Sequence, residues 1–205
     1  MKYKPANICL AITGASGIQY ALRLLQCLVD AGESIYLLVS APAQIVIDME
    51  TDLELPARPR DMQKYLTALY QADTDQIQVF GKEEWTAPVA SGSGAPRSMV
   101  VCPCTTGTLA SIACGSSNNL IERAADVILK ERKNLILVPR ESPFSEIHLE
   151  NMLKLARMGA TILPPNPGFY YQPKEVQDII DFVVARILDH LNVEHHLLPR
   201  WGVQE

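Results

Sequence analysis

The residues from Gly14 to Gly17 form the first stretch of the chain whose types and spacing suit a chemical function. They read Gly-Ala-Ser-Gly, and the two glycines let the backbone turn sharply and approach a ligand closely. A helix that begins directly after such a turn points unpaired N–H groups and a partial positive charge at it, which favours a phosphate. The Ser16 hydroxyl adds a further hydrogen-bonding group. The sequence therefore predicts a phosphate-bearing ligand here, and the alternative is an ordinary strand-to-helix turn that binds nothing.

Other features favour a mononucleotide such as FMN over a dinucleotide. Tyr20 stands where a dinucleotide motif has its third glycine, and the next predicted strand ends in Ser40 instead of the carboxylate that holds an adenosine ribose. Tyr170 and Lys174 have the spacing of a dehydrogenase pair. Pro173 lies between them, however, so an uninterrupted helical turn is not expected there.

A second turn rich in hydroxyl groups, residues 103–108, also joins a predicted strand to a helix. The carboxyl ends of parallel strands meet at one edge of a sheet, so the two turns are expected to form one ligand crevice. The segment 81–97 contains three glycines and two prolines, and its Ala90–Gly94 stretch is predicted to close over a ligand. The alternative for that segment is a mobile surface loop.

Arg123 and Lys130 lie seven positions apart on a predicted helix, so they share one helix face. Taken alone, this pair is better interpreted as a solvated basic stripe than as a binding site.

These residues need an α/β domain to position them. The apolar run that begins at Ile8 suits a strand buried on both faces of a parallel sheet, and helical spacing of apolar residues follows from Ile18. The same alternation continues along the chain and predicts one domain over residues 1–205 with about six strands and a tail from about residue 192. The predicted strands are 34–40, 76–80, 98–102, 135–139 and 160–163, and the later helices are 42–49, 61–70, 120–132, 145–158 and 175–191.

Composition limits the function classes. The 205 residues carry a net charge of −5, which argues against a nucleic-acid surface. Neither a signal peptide nor an apolar run of about 18 residues is present, so no membrane span is expected. The odd number of cysteines, five, favours reduced thiols in the cytoplasm. Cys102 and Cys104 have no second ligand pair at zinc spacing, so no metal site is expected.

Six blocks of the sequence resemble the UbiX-type flavin prenyltransferases, and the resemblance runs from about residue 7 to residue 201. The blocks are Ile12–Gly17, Pro103–Thr108, Asn119–Glu131, Val138–Glu141, Ile147–Met152 and Gly168–Tyr170. The resemblance implies a Rossmann-like (flavodoxin-like), doubly wound and mostly parallel sheet. It also implies a metal-independent reaction that joins the dimethylallyl group of dimethylallyl monophosphate to N5 and C6 of reduced FMN. The product, prenylated FMN, would serve a UbiD-type decarboxylase.

The same resemblance implies the roles of individual residues. Breaking the allylic C–O bond leaves a phosphate, and cationic groups must stabilise its growing charge. Glu141 would be the acid–base group, with Ser16 and Glu50 handling protons near flavin N5. The clamp on the donor phosphate, in which Lys130 is also catalytic, would be Arg123, Lys130, Arg140, Tyr170 and Arg186. FMN would be held by Gly14, Ala15, Ser16, Ser40, Thr105, Thr106, Gly107, Thr108 and Arg140. The walls around the dimethylallyl group and flavin would be Ala90, Ser91, Gly92 and Trp201.

Two other functions remain open from the sequence. One is an FMN-dependent peptidyl-cysteine decarboxylase. Those proteins typically carry Pro-Ala-Ser-Ala-Asn-Thr where this chain has residues 103–108. They also use a histidine base ahead of that block, whereas the first histidine of this chain is His148. The other is a non-catalytic flavin carrier, which would need only one phosphate site. Glu141 also has an alternative role, as an ion-pair partner of Arg123 or Arg140.

A homo-oligomer is expected from the apolar positions Ile121, Ala125 and Ile128 and from the helix over residues 147–158. Together they offer more apolar helical surface than one sheet face needs. The family resemblance sharpens this expectation to a dodecamer whose neighbouring subunits complete the site.

Overall fold

The five residues of the first strand, Ile8–Ile12, are all buried and form the centre of the sheet. In this computed structural model, which describes residues 3–199, every strand pairing is parallel. The strand order is β3-β2-β1-β4-β5-β6, a Rossmann-like order whose direction of winding reverses between β1 and β4. The strands are β1 Ile8–Ile12, β2 Ile35–Val39, β3 Ile77–Phe80, β4 Ser98–Cys104, β5 Asn134–Pro139 and β6 Thr161–Ile162.

Helices cover both faces of this sheet. Side chains alternate along a strand, so Ile8, Leu10 and Ile12 pack in one apolar cluster, and Cys9 and Ala11 pack in the other. The first cluster includes buried residues of α1, α2, α3 and α7, and the second those of α4, α5 and α6. The helices are α1 Ile18–Asp30, α2 Ala41–Glu50, α3 Pro59–Leu69, α4 Thr106–Cys114, α5 Leu120–Lys130, α6 Glu146–Arg157 and α7 Val176–Leu191.

The predicted α/β sheet of six strands is confirmed, and two local predictions are wrong. Pro103 and Cys104 were expected in a loop, but they continue the buried strand β4. Ile121, Ala125 and Ile128 were expected to supply surface for an oligomer, but they are at most 7% exposed because α5 packs against the sheet. The segment 81–97, whose glycines and prolines disfavour regular structure, contains two short 3₁₀ turns, Pro88–Ala90 and Gly92–Gly94.

Within residues 3–199, no helix is long and apolar enough to cross a membrane.

Candidate active site

The carboxylate of Glu50, the last residue of α2, caps the first turn of α1. Its Oε2 accepts hydrogen bonds from the backbone N–H groups of Gly17 at 2.9 Å and Ile18 at 3.1 Å. The Ser16 side chain is also hydrogen-bonded to Glu50. The expectation that these N–H groups hold a phosphate is therefore corrected, because a carboxylate of the chain itself occupies them. The turn needs its glycine at position 14, since a Cβ there would collide with Pro42 of α2.

This environment sets the charge of Glu50. Partial burial acts to raise the pKa of its carboxyl, but the hydrogen bonds from Ser16, Gly17 and Ile18 and the positive charge of Arg140 outweigh it. The net result is a pKa below the usual value. Glu50 is therefore ionised at neutral pH, and the structure brings together Ser16 and Glu50, to which the family resemblance assigned a shared role.

Thr13 ties the carboxyl ends of β1 and β4 together. Its hydroxyl donates to the carbonyl oxygen of Pro103 at 2.7 Å and accepts from the backbone N–H of Thr105 at 2.8 Å. The side chain is 2% exposed, so both bonds are shielded from water. This fixes the spacing of the two turns at the point where the sheet reverses its winding. Sequence reasoning missed Thr13, although a polar residue that ends an apolar strand is a signal.

The hydroxyl-rich turn after β4 begins α4. Thr105 is the N-cap, its Oγ1 accepting from the backbone N–H of Thr108 at 3.1 Å and donating to the Thr108 hydroxyl at 2.9 Å. The first helical residues, Thr106 and Gly107, direct N–H groups without intrahelical acceptors toward the same edge. This helix start suits a phosphate.

A cleft of about 210 Å³ lies at this edge of the sheet, where three helices begin. Ser40, Thr105 and Asn119 are the N-caps of α2, α4 and α5. Converging helix N-termini make such a cleft electropositive. The polar residues that line it are Thr13, Ser40, Lys82, Thr108 and Asn119. Lys82 and Asn119 were not predicted as site residues: Lys82 lies in no recognised motif, and Asn119 begins a family block without an assigned role.

Helix α5, which carries Arg123 and Lys130, packs against the 3₁₀ segment Pro88–Ala90 that follows β3. The Arg123 Nε donates to the carbonyl of Ala90 at 3.1 Å, and its Nη1 pairs with Asp126 at 2.9 Å. Lys130 pairs with Glu131 at 2.5 Å, and a Cβ on Gly92 would collide with the Glu131 carboxylate. Both cations lie on α5, as predicted, and the contacts of this helix with Ala90 and Gly92 are made by Arg123 and Glu131.

Arg140 and Glu141 follow β5 and are both exposed. Arg140 lies near enough to the β1–α1 turn for its charge to act on Glu50 and Tyr20. The Glu141 Oε1 accepts from the backbone N–H of Ser142 at 3.0 Å. Among residues 3–199 it pairs with neither arginine, so the ion-pair alternative has no contact to support it.

Tyr170 and Arg186 line a different cavity, of about 690 Å³, formed by α7 and the segments on either side of it. The predicted clamp thus falls into three groups in one chain: Arg123 with Lys130, Arg140 beside Glu50, and Tyr170 with Arg186. In the part of the chain that the structure describes, the ion pairs of Arg123, Lys130 and Arg186 each run to a carboxylate at most three positions away in the sequence. Trp201 lies outside the described residues.

Comparison with known proteins defines the class first. A family model described as Flavoprotein matches residues 1–188, so the Rossmann-like sheet and its phosphate-suited cleft are those of a flavoprotein. The flavin prenyltransferase UbiX of Pseudomonas aeruginosa is 60% identical over 200 residues, which cover 98% of this chain and 96% of that protein. The chain belongs to the UbiX family of flavin prenyltransferases.

Two solved structures extend this likeness to the fold. AnUbiX (PadA1) in complex with FMN and dimethylallyl pyrophosphate superposes with a TM-score of 0.85 and 39% identity, covering 98% of this chain and 100% of that one. The dodecameric FMN-dependent UbiX-like decarboxylase of Escherichia coli O157:H7 superposes with a TM-score of 0.82 and 41% identity, covering 96% and 99%.

Proposed function

We propose that this chain transfers the dimethylallyl group of dimethylallyl monophosphate to reduced FMN, giving prenylated FMN and inorganic phosphate. The observation that carries the proposal is the ionised Glu50, hydrogen-bonded to Ser16 and facing the charge of Arg140, at the reversal point of a flavoprotein sheet. A carboxylate, a hydroxyl and a cation in this position suit proton transfer beside a flavin. A simple carrier has no need of them.

FMN would be held across the two turns at the carboxyl edge. The cleft where α2, α4 and α5 begin suits its single terminal phosphate, with Ser40 and residues 105–108 as ligands. Because Glu50 occupies the start of α1, Gly14 to Ser16 would instead contact the flavin ring. The bound flavin supplies the nucleophilic atoms N5 and C6.

The protein's own groups would manage charge and protons. Ser16 is bonded to Glu50, so together they would accept the proton that leaves N5 as the first C–N bond forms. Glu141 would donate a proton to the departing phosphate. During ring closure it would accept the proton that leaves C6, while the double bond of the dimethylallyl group gains a proton as it forms the bond to C6. Arg123, Lys130, Arg140, Tyr170 and Arg186 would hold the phosphate that departs with the electrons of the C–O bond.

The monophosphate is proposed as the donor, without a metal ion, because five residues are available to compensate the leaving-group charge. Within residues 3–199, no group of three or more His, Cys, Asp or Glu side chains is arranged to hold a metal ion. The neighbour AnUbiX was solved with the pyrophosphate. Rates measured with both donors, with and without Mg²⁺, therefore distinguish the two leaving groups.

The site is proposed to be completed by neighbouring subunits of a dodecamer. Within the described residues, Arg123, Lys130 and Arg186 form their ion pairs with neighbours in the sequence, and Arg186 lines a cavity at α7 that is separate from the cleft. Helix α6 exposes apolar side chains that suit a subunit contact, among them Ile147 at 66% and Leu153 at 51% exposure. A UbiD-type decarboxylase is the proposed recipient of the product, and the cytoplasm the proposed location.

The decisive experiment is anaerobic incubation of the purified protein with reduced FMN and dimethylallyl monophosphate. The expected product is heavier than FMN by one C5H8 unit, and one phosphate is released per flavin modified. Mass spectrometry and a phosphate assay measure both quantities. Unchanged FMN, or recovery of FAD or NAD as the bound cofactor, would overturn the proposal. Loss of CO2 from a C-terminal cysteine peptide would favour the decarboxylase alternative.

A further inference from the structure

The residues that hold Arg186 in its cavity form a chain of three side chains. The Arg186 Nη1 donates to Oδ2 of Asp189 at 2.6 Å, one helical turn further along α7. The other carboxylate oxygen, Oδ1, lies 3.2 Å from Nε2 of His195, beyond the end of the helix. All three line the same cavity, together with the titratable groups of Tyr170, Tyr171 and Glu194.

The end of α7 explains why His195 reaches back to the helix. Asn192 adopts the left-handed conformation at φ 55°, which ends the helix and reverses the chain. Val193 is then 7% exposed, and its N–H donates to the carbonyl of Leu188 at 3.1 Å. The segment that follows is therefore anchored along α7, and it presents His195 to Asp189.

The hydrogen bonds also assign the donor on the imidazole. Its Nδ1 accepts from the backbone N–H of Leu197 at 3.4 Å, so in the neutral ring the hydrogen resides on Nε2. That N–H faces Oδ1 of Asp189. The His195 side chain is only 14% exposed, whereas those of Arg186 and Asp189 are 52% and 44% exposed, so the chain of contacts begins at its most buried member.

This arrangement directs the guanidinium. A lone ion pair three positions apart on an exposed helix is weak and leaves a long arginine side chain free to move. Here Asp189 is itself held by a second hydrogen bond, so it restricts the arginine more strongly. The bond to Asp189 uses Nη1, and no other residue within 3–199 accepts from Nε or Nη2 of Arg186, so both can donate to an incoming ligand. A guanidinium edge with two donors matches a phosphate bidentately.

We propose that Asp189 and His195 are positioning residues for the donor phosphate: Asp189 fixes Arg186, and His195 fixes Asp189. The inference rests on the proposed role of Arg186 as a ligand of the dimethylallyl phosphate. Neither Asp189 nor His195 touches the substrate, so both act on donor binding and not on the chemical step. They lower the conformational freedom that Arg186 loses when the phosphate binds.

Steady-state kinetics with saturating reduced FMN and varied dimethylallyl monophosphate test this. Asp189→Ala is expected to raise KM for the donor about tenfold, because Arg186 loses a charge-assisted hydrogen bond. His195→Ala is expected to raise it about threefold, because Asp189 loses a neutral donor. In both variants kcat should be nearly unchanged. FMN affinity should stay the same in both. His195→Gln should restore the wild-type KM, because its amide N–H takes the place of Nε2–H.

Controls separate positioning from folding. His196 is exposed and does not line the cavity, so His196→Gln is the matched control and should behave as wild type. Asp189→Asn keeps an oxygen that accepts from Arg186 but removes the negative charge, so its KM for the donor should lie between those of wild type and Asp189→Ala. This variant provides the test if Asp189→Ala fails to fold. Thermal unfolding and light scattering of each variant verify the assembled fold.

Two different failures are distinguishable. If Arg186→Ala raises KM for the donor but neither Asp189→Ala nor His195→Ala does, the positioning inference is overturned and the donor site stands. A lower KM in Asp189→Ala would also overturn it, because Asp189 would then compete with the phosphate. If Arg186→Ala itself leaves KM unchanged, the proposed donor site is wrong at this residue.

Discussion

The Oε2 atom of Glu50 lies 2.9 Å from the backbone nitrogen of Gly17, which fastens the end of α2 to the start of α1. A carboxylate is stabilised at a helix N-terminus by the unpaired N–H groups and the helix dipole. The same carboxylate is hydrogen-bonded to Ser16, the residue proposed to lie beside flavin N5. One contact therefore couples the stability of the turn to its chemistry.

The pH dependence of stability follows from this contact. The pKa of Glu50 is lower in the folded chain than in the unfolded chain, so its ionised form stabilises the fold above its ordinary pKa. That contribution is lost as the pH falls through the lowered folded pKa. Glu50→Gln should therefore reduce the melting temperature at pH 7 but much less under acidic conditions where wild-type Glu50 is protonated.

Thermal melts of wild type and variant between about pH 3 and pH 7 measure this difference. Glu54→Gln is the control, because Glu54 is exposed and the same change there removes a charge without breaking a helix cap. An equal loss of melting temperature at every pH would contradict the ionisation argument.

Thr13→Val should loosen the link between β1 and β4. Valine has nearly the same shape but leaves the Thr105 N–H without its partner, which costs about 1–3 kcal/mol for a buried group. The Pro103 carbonyl loses the hydroxyl and keeps the backbone N–H of residue 13. Chemical denaturation measures the loss of stability, and flavin fluorescence titration should show weaker FMN binding. Thr13→Ser retains the hydroxyl and should preserve most of the stability and of the FMN affinity. A loss in Thr13→Ser as large as that in Thr13→Val would contradict the argument, because the hydroxyl would then not account for the difference.

Glu141→Gln should keep the fold, the oligomer and FMN binding while the rate falls by about 10²–10⁴-fold, the usual contribution of a positioned acid–base group. Glutamine has the same size and retains a carbonyl, but it cannot exchange a proton. Stopped-flow absorbance with saturating donor measures the rate, with Glu54→Gln as the charge-matched control. Turnover close to wild type would remove Glu141 from the mechanism.

Charged substitutions on α6 should disrupt the assembly. Ile147 and Leu153 are 66% and 51% exposed in the single chain, and an aspartate at either position would be costly to bury in a subunit contact. Light scattering should show smaller species for Leu153→Asp than for wild type, together with reduced turnover if neighbouring subunits complete the site. An unchanged mass would place the subunit contacts elsewhere.

Turnover should persist in excess EDTA, because the proposed cationic clamp compensates the phosphate charge without a metal ion. The assay uses reduced FMN and dimethylallyl monophosphate, with and without the chelator. A loss of activity that magnesium restores would refute the clamp argument. Arg123→Ala, which removes one cation, should lower the rate both with and without EDTA.

The sequence by itself determined the class of fold and the edge of the sheet at which the two polar turns lie. Apolar runs such as Ile8–Ile12 can only be buried on both faces of a parallel sheet, and the turns at residues 14–17 and 103–108 follow two of its strands. It also predicted the shared helix face of Arg123 and Lys130, since helical spacing is a local property.

Only the tertiary structure decided which groups meet. Local patterns carry no information on contacts between distant segments, so Glu50 on the amides of Gly17 and Ile18, or Thr13 on Thr105, could not be predicted from spacing. For the same reason the sequence did not predict that Lys82 and Asn119 line the cleft. Burial likewise depends on packing: the apolar face of α5 is covered by the sheet, whereas α6 leaves part of its apolar surface exposed.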